Sequence, residues 1–174
     1  MKVSFDPATG TIGDDVETVI DAAALGKSIA FPKPSFDGRF LMYTLADYGT
    51  FPIWHHEADL WLLDLATGET RPLDEVNSPD TESFHNWSSN GRWVLFSSRR
   101  FDGNFTRLYL AYFDKNGRGH KPFVIPQKAP DYYEQFYKSY NIPEFMKGPV
   151  TISPQQFARR INGPTTSAVY HEQY

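Results

Sequence analysis

The chain has 174 residues, with 17 Lys and Arg against 21 Asp and Glu, a net charge of −4 and no cysteine. This balance offers no basic surface for nucleic acid, and the lack of cysteine excludes disulfides, thiolate zinc sites and a cysteine nucleophile. No apolar run is long enough to insert into a membrane. Aromatic residues make up 16% of the chain, and with 12 Gly and 13 Pro they favour strands and turns over a helical bundle.

The beginning of the chain resembles part of a unit that recurs later. FDPATGT at residues 5–11 echoes LDLATGE at residues 63–69. We therefore expect residues 1–22 to form the last strands of a partial sheet. The segment from Gly10 to Gly13 connects strands and matches no nucleotide-binding motif.

The centre of the chain contains a repeat. FPKPSFDGRFLMYT at residues 31–44 aligns without gaps with FHNWSSNGRWVLFS, which begins at Phe84, 53 residues after Phe31. Each copy has an Asp-Gly or Asn-Gly turn, an apolar strand, a second apolar strand, another glycine turn and a short outer strand. The predicted strands after the first turns are 39–44, 59–65 and 70–73 in one copy and 92–97, 107–113 and 121–125 in the other. This fixed order is typical of repeat architectures.

The strand that follows each first turn is apolar on both faces. Alternation along these strands places Phe40, Met42, Trp93 and Leu95 on one face and Leu41, Tyr43, Val94 and Phe96 on the other. Each unit is therefore predicted to be a four-stranded antiparallel meander with both faces covered, as a propeller blade is. The predicted fold is all-β, with two complete blades and the end of a third, followed by two short C-terminal helices.

The turns resemble those of a known family. Residues 35–39 (SFDGR) and 88–92 (SSNGR) resemble the Ser-Pro-Asp-Gly-(Lys/Arg) turn of TolB-like β-propeller repeats, with Phe36 and Ser89 in place of proline and Asn90 in place of one aspartate. Leu60 to Asp64 and Leu108 to Leu110, with the glycine turns after them, resemble the strand that follows. The resemblance covers residues 1–126 and implies a partial β-propeller with blades at about 1–22 (partial), 28–74 and 83–126. It also implies a periplasmic or otherwise extracytoplasmic location.

The number of blades leaves the ring incomplete. Propellers close with about 4–8 blades, and two complete blades do not close a ring. We expect the chain to be the C-terminal part of a larger propeller, since its first residues fall inside a blade. Two alternatives stay open: several copies self-associate to complete the ring, or the tail covers the open face.

Residues 127–174 are predicted to be a helical extension with a frayed end from residue 165 onward. Asp131 and Glu134 resemble a capping box, and Tyr and Phe at 132, 133, 136, 137 and 140 recur at helical spacing before Asn141 and Pro143 stop that helix. Ser153, Pro154 and Gln156 predict the start of a second helix, which ends at Gly163. We expect the aromatic stripe to be structural rather than a ligand-stacking face.

No catalytic constellation is visible in the sequence. His55-His56-Glu57 lacks the spacing of a zinc-binding helix and is interpreted as a polar loop rim, and no serine lies in a Gly-x-Ser-x-Gly elbow. The sequence predicts no catalytic residue, metal or cofactor.

The most informative loop is LADYGTFPIWHHEA at residues 45–58. Its counterpart at 98–104 is shorter and basic, and both emerge at the same end of the meander as the connection at 77–82. Long loops on a rigid scaffold commonly carry recognition. The predicted binding residues are Tyr48, Trp54, His55, His56, His85, Arg99 and Arg100.

Two functions follow from this sequence. The first is a non-catalytic binding or scaffold module of a TolB-like propeller protein, which engages a protein or glycan through its loop face. The alternative is a propeller domain of an enzyme, a peptidase gate or a carbohydrate lyase-like protein, whose catalytic parts lie outside this chain. Convergence of His55, His56 and His85 within metal-ligand distance would favour the enzyme, and scattered positions would favour the binding module.

Overall fold

A computed structural model describes residues 1–167. The strands are β1 (Phe5–Asp6), β2 (Thr11–Ile12), β3 (Ser28–Pro34), β4 (Phe40–Ala46), β5 (Asp59–Asp64), β6 (Thr70–Pro72), β7 (Glu82–Trp87), β8 (Trp93–Ser98), β9 (Arg107–Tyr112) and β10 (Phe123–Val124). The helices are α1 (Ala22–Leu25), a 3-10 turn (Pro52–Trp54), α2 (Tyr132–Gln135) and α3 (Pro154–Ile161). Within residues 1–167, no helix has the length and apolar character needed to cross a bilayer.

The strands form two four-stranded antiparallel meanders and one short hairpin. The first sheet has the order β3-β4-β5-β6, the second β7-β8-β9-β10, and β1 pairs only with β2. In both sheets every strand pairs with its neighbour in sequence, which is the connectivity of a propeller blade. The predicted all-β fold class is confirmed, and the predicted strands in the two sheets match the observed strands to within two residues.

The two first turns have the same hydrogen bonds. Ser35 Oγ donates to Asp37 Oδ1 at 2.6 Å and accepts from the Phe40 backbone N–H at 3.0 Å. Ser88 does the same with Asn90 at 2.7 Å and with the Trp93 N–H at 3.0 Å. The turn is therefore held by the serine and by the Asp or Asn side chain, and the intervening residues, Phe36 and Ser89, take no part in these hydrogen bonds.

One core joins the two sheets. Its buried members are Phe40, Met42, Leu60, Leu62, Leu73 and Val76 from the first repeat and Trp87, Val94, Phe96, Tyr109, Ala111 and Phe113 from the second. The two repeats use opposite faces in this contact, because the repeat counterparts of Phe40 and Met42 are Trp93 and Leu95, which lie outside the core cluster. The sheets are thus stacked head to tail, as successive blades are, and do not pair through equivalent faces.

The innermost strand of each sheet has a bulge at the same repeat position. Phe31 and Phe84 adopt positive φ angles of 53° and 52°, and the strand register shifts around both residues. Their rings contact each other with centroids 4.8 Å apart. A left-handed conformation costs an ordinary residue about 1–2 kcal/mol, and the contact between the two tilted rings offsets part of that cost.

The C-terminal extension differs in part from its prediction. Helix α3 begins at the expected place, with Ser153 and Gln156 forming a complete capping box. The helix predicted from Asp131 to Asn141 is wrong beyond α2, which ends at Gln135, and the Asp131 side chain makes no capping hydrogen bond. Part of the predicted frayed end, residues 168–174, lies outside the described residues.

Candidate functional site

Three segments meet at one end of the two sheets, which we call the loop end: residues 47–58, 77–82 and 99–106. The 3-10 turn that starts at Pro52 contacts β4 of the first sheet and β7 of the second. Thr81 Oγ1 donates to the Pro52 carbonyl at 3.0 Å, and the Arg99 N–H donates to the Thr81 carbonyl at 3.3 Å. The connection between the sheets thereby fixes both loops.

Exposed aromatic side chains lie on the rim of the loop end. Tyr48 is 68% exposed and Trp54 is 59% exposed. The Tyr48 ring contacts the His55 ring with centroids 4.3 Å apart, and the Arg99 guanidinium lies 5.1 Å from the Trp54 ring centroid. These contacts hold amphipathic side chains at the surface, where they remain accessible to a partner.

The histidines of the loop end do not share one site. His55 Nδ1 lies 3.3 Å from Glu57, and His56 Nδ1 lies 3.0 Å from Asp80. Within residues 1–167, no group of three or more His, Asp and Glu side chains is arranged to hold a metal ion.

His85 is enclosed between the two sheets. It is 1% exposed, and its Nε2 lies 3.0 Å from the Met42 carbonyl of the first sheet. Burial lowers the pKa of His85 to about 4, so the ring is neutral at physiological pH and Nε2 donates to that carbonyl. His85 links the two blades and lies apart from the exposed rim.

Arg100 lies beneath the loop end in a buried polar network. Its guanidinium donates to Glu82 at 2.7 Å and to the Val76 carbonyl at 2.5 Å. Glu82 is fully buried and also accepts from Ser78 and Ser98. Burial raises the pKa of Glu82, and the charge of Arg100 acts in the opposite direction. The network ties the connection between the sheets to the second sheet.

A cleft of about 290 Å³ opens between the first loop and the C-terminal extension. Its lining is aromatic and apolar on the loop side and polar on the other side, and consists of Phe51, Ile53, Trp54, Phe84, Thr106, Ser139, Tyr140 and Asn141. The hydroxyls of Thr106 and Ser139 are already engaged, one with the Tyr140 carbonyl and the other with the Thr106 N–H. The sequence does not predict this cleft, because the aromatic spacing places Tyr140 in a helix.

Arg107 attaches the extension to the second sheet. Its side chain is 1% exposed and donates to the carbonyls of Lys138 at 2.8 Å, Phe136 at 2.9 Å and Tyr133 at 3.3 Å. Four aromatic rings, those of Phe101, Phe105, Tyr133 and Phe136, surround the guanidinium with centroids 5.2–6.0 Å away. Two of these carbonyls, those of Tyr133 and Phe136, would accept from Tyr137 and Tyr140 in a longer α2, so their bonds to Arg107 favour the end of that helix at Gln135.

Comparison with known proteins finds similarity among solved structures alone. No family model matches the chain, and no curated protein matches it. Among solved structures, the chain is similar to the β-propeller domain of the Trilobed protease from Pyrococcus furiosus, described as having an open velcro topology. The two share 15% identity at a TM-score of 0.39, over 57% of this chain and 30% of that one. The evidence for the propeller-like fold is therefore the meander connectivity and the head-to-tail stacking of the two sheets.

Proposed function

We propose that this chain is a non-catalytic binding module of a TolB-like propeller protein, and that its loop end binds a segment of a partner protein. The observation that carries the proposal is the 290 Å³ cleft, which is lined in part by Trp54, whose ring contacts Arg99. Trp, Tyr and Arg are the residues that most often dominate the binding energy of protein interfaces.

The chemistry of the cleft favours an apolar side chain over a sugar. A glycan needs several convergent hydrogen-bonding groups, whereas two of the hydroxyls in this cleft are used internally. Its volume lies near the lower end of the range for ligand pockets, which is about 300–1,000 Å³. A single large apolar side chain of an extended peptide matches that volume and the aromatic wall.

The TolB-like assignment and an extracytoplasmic location belong to the same proposal. They are supported by the two Ser-x-(Asp/Asn)-Gly-Arg turns, which share one hydrogen-bonding pattern. The alternative, a propeller domain of an enzyme with its catalytic parts elsewhere, stays a prediction.

The test uses a random 12-residue peptide phage library and an oligosaccharide panel as probes. Both are applied to the wild-type chain, to Trp54→Ala and to Phe36→Ala. Phe36 is a matched control because it is 68% exposed and lies in a turn at the opposite end of the sheet. We expect selected peptides to lose at least about tenfold in affinity with Trp54→Ala, a typical effect for a central interface residue, and to be unaffected by Phe36→Ala.

Two other results are decisive against the proposal. Oligosaccharide binding that depends on Trp54, without peptide binding, would assign a glycan instead. Absence of any Trp54-dependent binding would reject the loop end as the binding surface.

A further inference from the structure

The outer face of the second sheet, which points away from the first sheet, carries the same kinds of side chain as the inner face of the first sheet, which packs inside the chain. The first sheet contacts the second through Phe40, Met42, Leu60 and Leu62. Strand pairing places their repeat counterparts, Trp93, Leu95, Leu108 and Leu110, on the face of the second sheet that points away from the first. Aromatic or aliphatic character is kept at all four positions. At the loop end the C-terminal extension covers this face, because Ser97 donates to the Asn141 carbonyl at 2.9 Å and Leu95 is buried. The opposite edge is open, since Phe123 is 48% exposed and Trp93 is only half-buried.

The outer face of the first sheet shows the complementary pattern. The second sheet contacts the first through Val94, Phe96, Tyr109 and Ala111. Their repeat counterparts, Leu41, Tyr43, Trp61 and Leu63, lie on the outer face of the first sheet. Residues 1–25 lie over this face, where Tyr43 and Leu63 are buried. None of residues 1–25 is itself buried, and two cavities of about 580 Å³ each lie between them and the sheet.

We propose that the outer face of the second sheet packs against the outer face of the first sheet in another copy of this chain. The contact within the chain is the reason for choosing a second copy. There, the two inner faces pack together, and the two outer faces carry the repeat counterparts of those same residues. Such a contact is heterologous, so it closes into a ring of copies when the rotation per copy permits. At two blades per copy, and about 4–8 blades per ring, the assembly contains roughly two to four copies.

The internal contact also predicts which residues meet. Within the chain, the Phe40 ring lies against Gly117, and Arg71 donates to the Gly117 carbonyl at 3.1 Å. The repeat counterparts of Phe40 and Arg71 are Trp93 and Phe123, and that of Gly117 is Gly68. Gly68 lines one of the two open cavities. Trp93 and Phe123 of one copy therefore enter this cavity in the next copy and displace residues 1–25 from it.

The test combines mass measurement with directed cross-linking. The wild-type chain at 100 µM is expected to show a discrete mass of two to four times 19.9 kDa by light scattering. Because the chain has no cysteine, Phe123→Cys and Thr67→Cys each introduce a unique thiol, and Thr67 is the exposed neighbour of Gly68. A short bismaleimide is expected to link the two variants when they are mixed and to link neither variant alone.

Controls separate this arrangement from other causes of association. Tyr48→Cys replaces Phe123→Cys as the control, because Tyr48 is also exposed, at 68% against 48% for Phe123, but lies at the loop end of the first sheet. A monomeric wild-type chain overturns the proposal, as does self-linking of Phe123→Cys alone, which would indicate an isologous dimer. Phe123→Lys is expected to reduce the mass to that of a monomer with an unchanged circular dichroism spectrum, and if this variant unfolds, the cross-linking result decides.

Discussion

Replacement of Arg107 by Ala tests whether one buried side chain holds the C-terminal extension in place. The change removes three hydrogen bonds from a charged donor to the carbonyls of Tyr133, Phe136 and Lys138, each worth about 1.5–3 kcal/mol. The sum is an upper limit, because the extension undocks and its carbonyls regain water. Arg107 also pairs with Asp102 at 3.2 Å. We therefore expect the free energy of unfolding to fall by about 3–5 kcal/mol, the usual cost of removing one partner of a buried ion pair.

Two measurements check this value. For a domain of this length, a loss of 3–5 kcal/mol lowers Tm by roughly 6–20 °C, which is followed by tryptophan fluorescence. Release of the extension also accelerates trypsin cleavage after Lys138. Arg107→Lys is expected to be intermediate, since ammonium keeps the charge but not the planar fork of donors. Arg159→Ala, on the exposed helix α3, is the control, and an Arg107→Ala chain as stable and as protease-resistant as this control would refute the reasoning.

Further predictions concern buried groups of the two sheets. The pKa of His85 is lowered to about 4 from 6.5, so the unfolded chain binds this proton at a higher pH than the folded chain does. The free energy of unfolding should therefore fall by roughly 3 kcal/mol between pH 7 and 4. Urea titrations should show a smaller fall for His85→Gln. Burial, with the charge of Asp74, raises the pKa of Asp59 to about 6 from 3.8, so Asp59→Asn should raise the urea midpoint at pH 7, with the gain fading between pH 6 and 4; equal midpoints at pH 7 would contradict this. At Phe84, where φ is 52°, the Gly variant should be more stable than the Ala variant by about 1 kcal/mol, the reverse of the usual order. Trp87→Phe removes the hydrogen bond from Nε1 to the Lys33 carbonyl and should cost about 1 kcal/mol in thermal unfolding.

The strands and turns were predictable because each depends on local chemistry. Asp37-Gly38 and Asn90-Gly91 sit in turns that need a positive φ at glycine, and the alternation along β4 and β8 is a property of a strand alone. Sequence spacing also located α3, because Ser153, Pro154 and Gln156 cap it without help from the rest of the fold.

The parts that escaped prediction depend on distant contacts. The aromatic spacing after Asp131 favours a helix, but Arg107 takes the carbonyls that would continue it. Nothing in residues 131–141 signals an arginine two dozen or more positions earlier. The same contact places Tyr140 opposite Trp54, so the cleft at the loop end was also outside the reach of sequence reasoning.

Because one wall of this cleft belongs to a loop and the other to an extension held by Arg107, occupancy and docking are thermodynamically coupled. A molecule that fills the space between Trp54 and Tyr140 stabilises the docked extension by the same factor by which docking tightens that molecule's binding. Under the proposed function, a change at Arg107, which does not itself line the cleft, is therefore expected to alter affinity without removing a contact to the bound molecule.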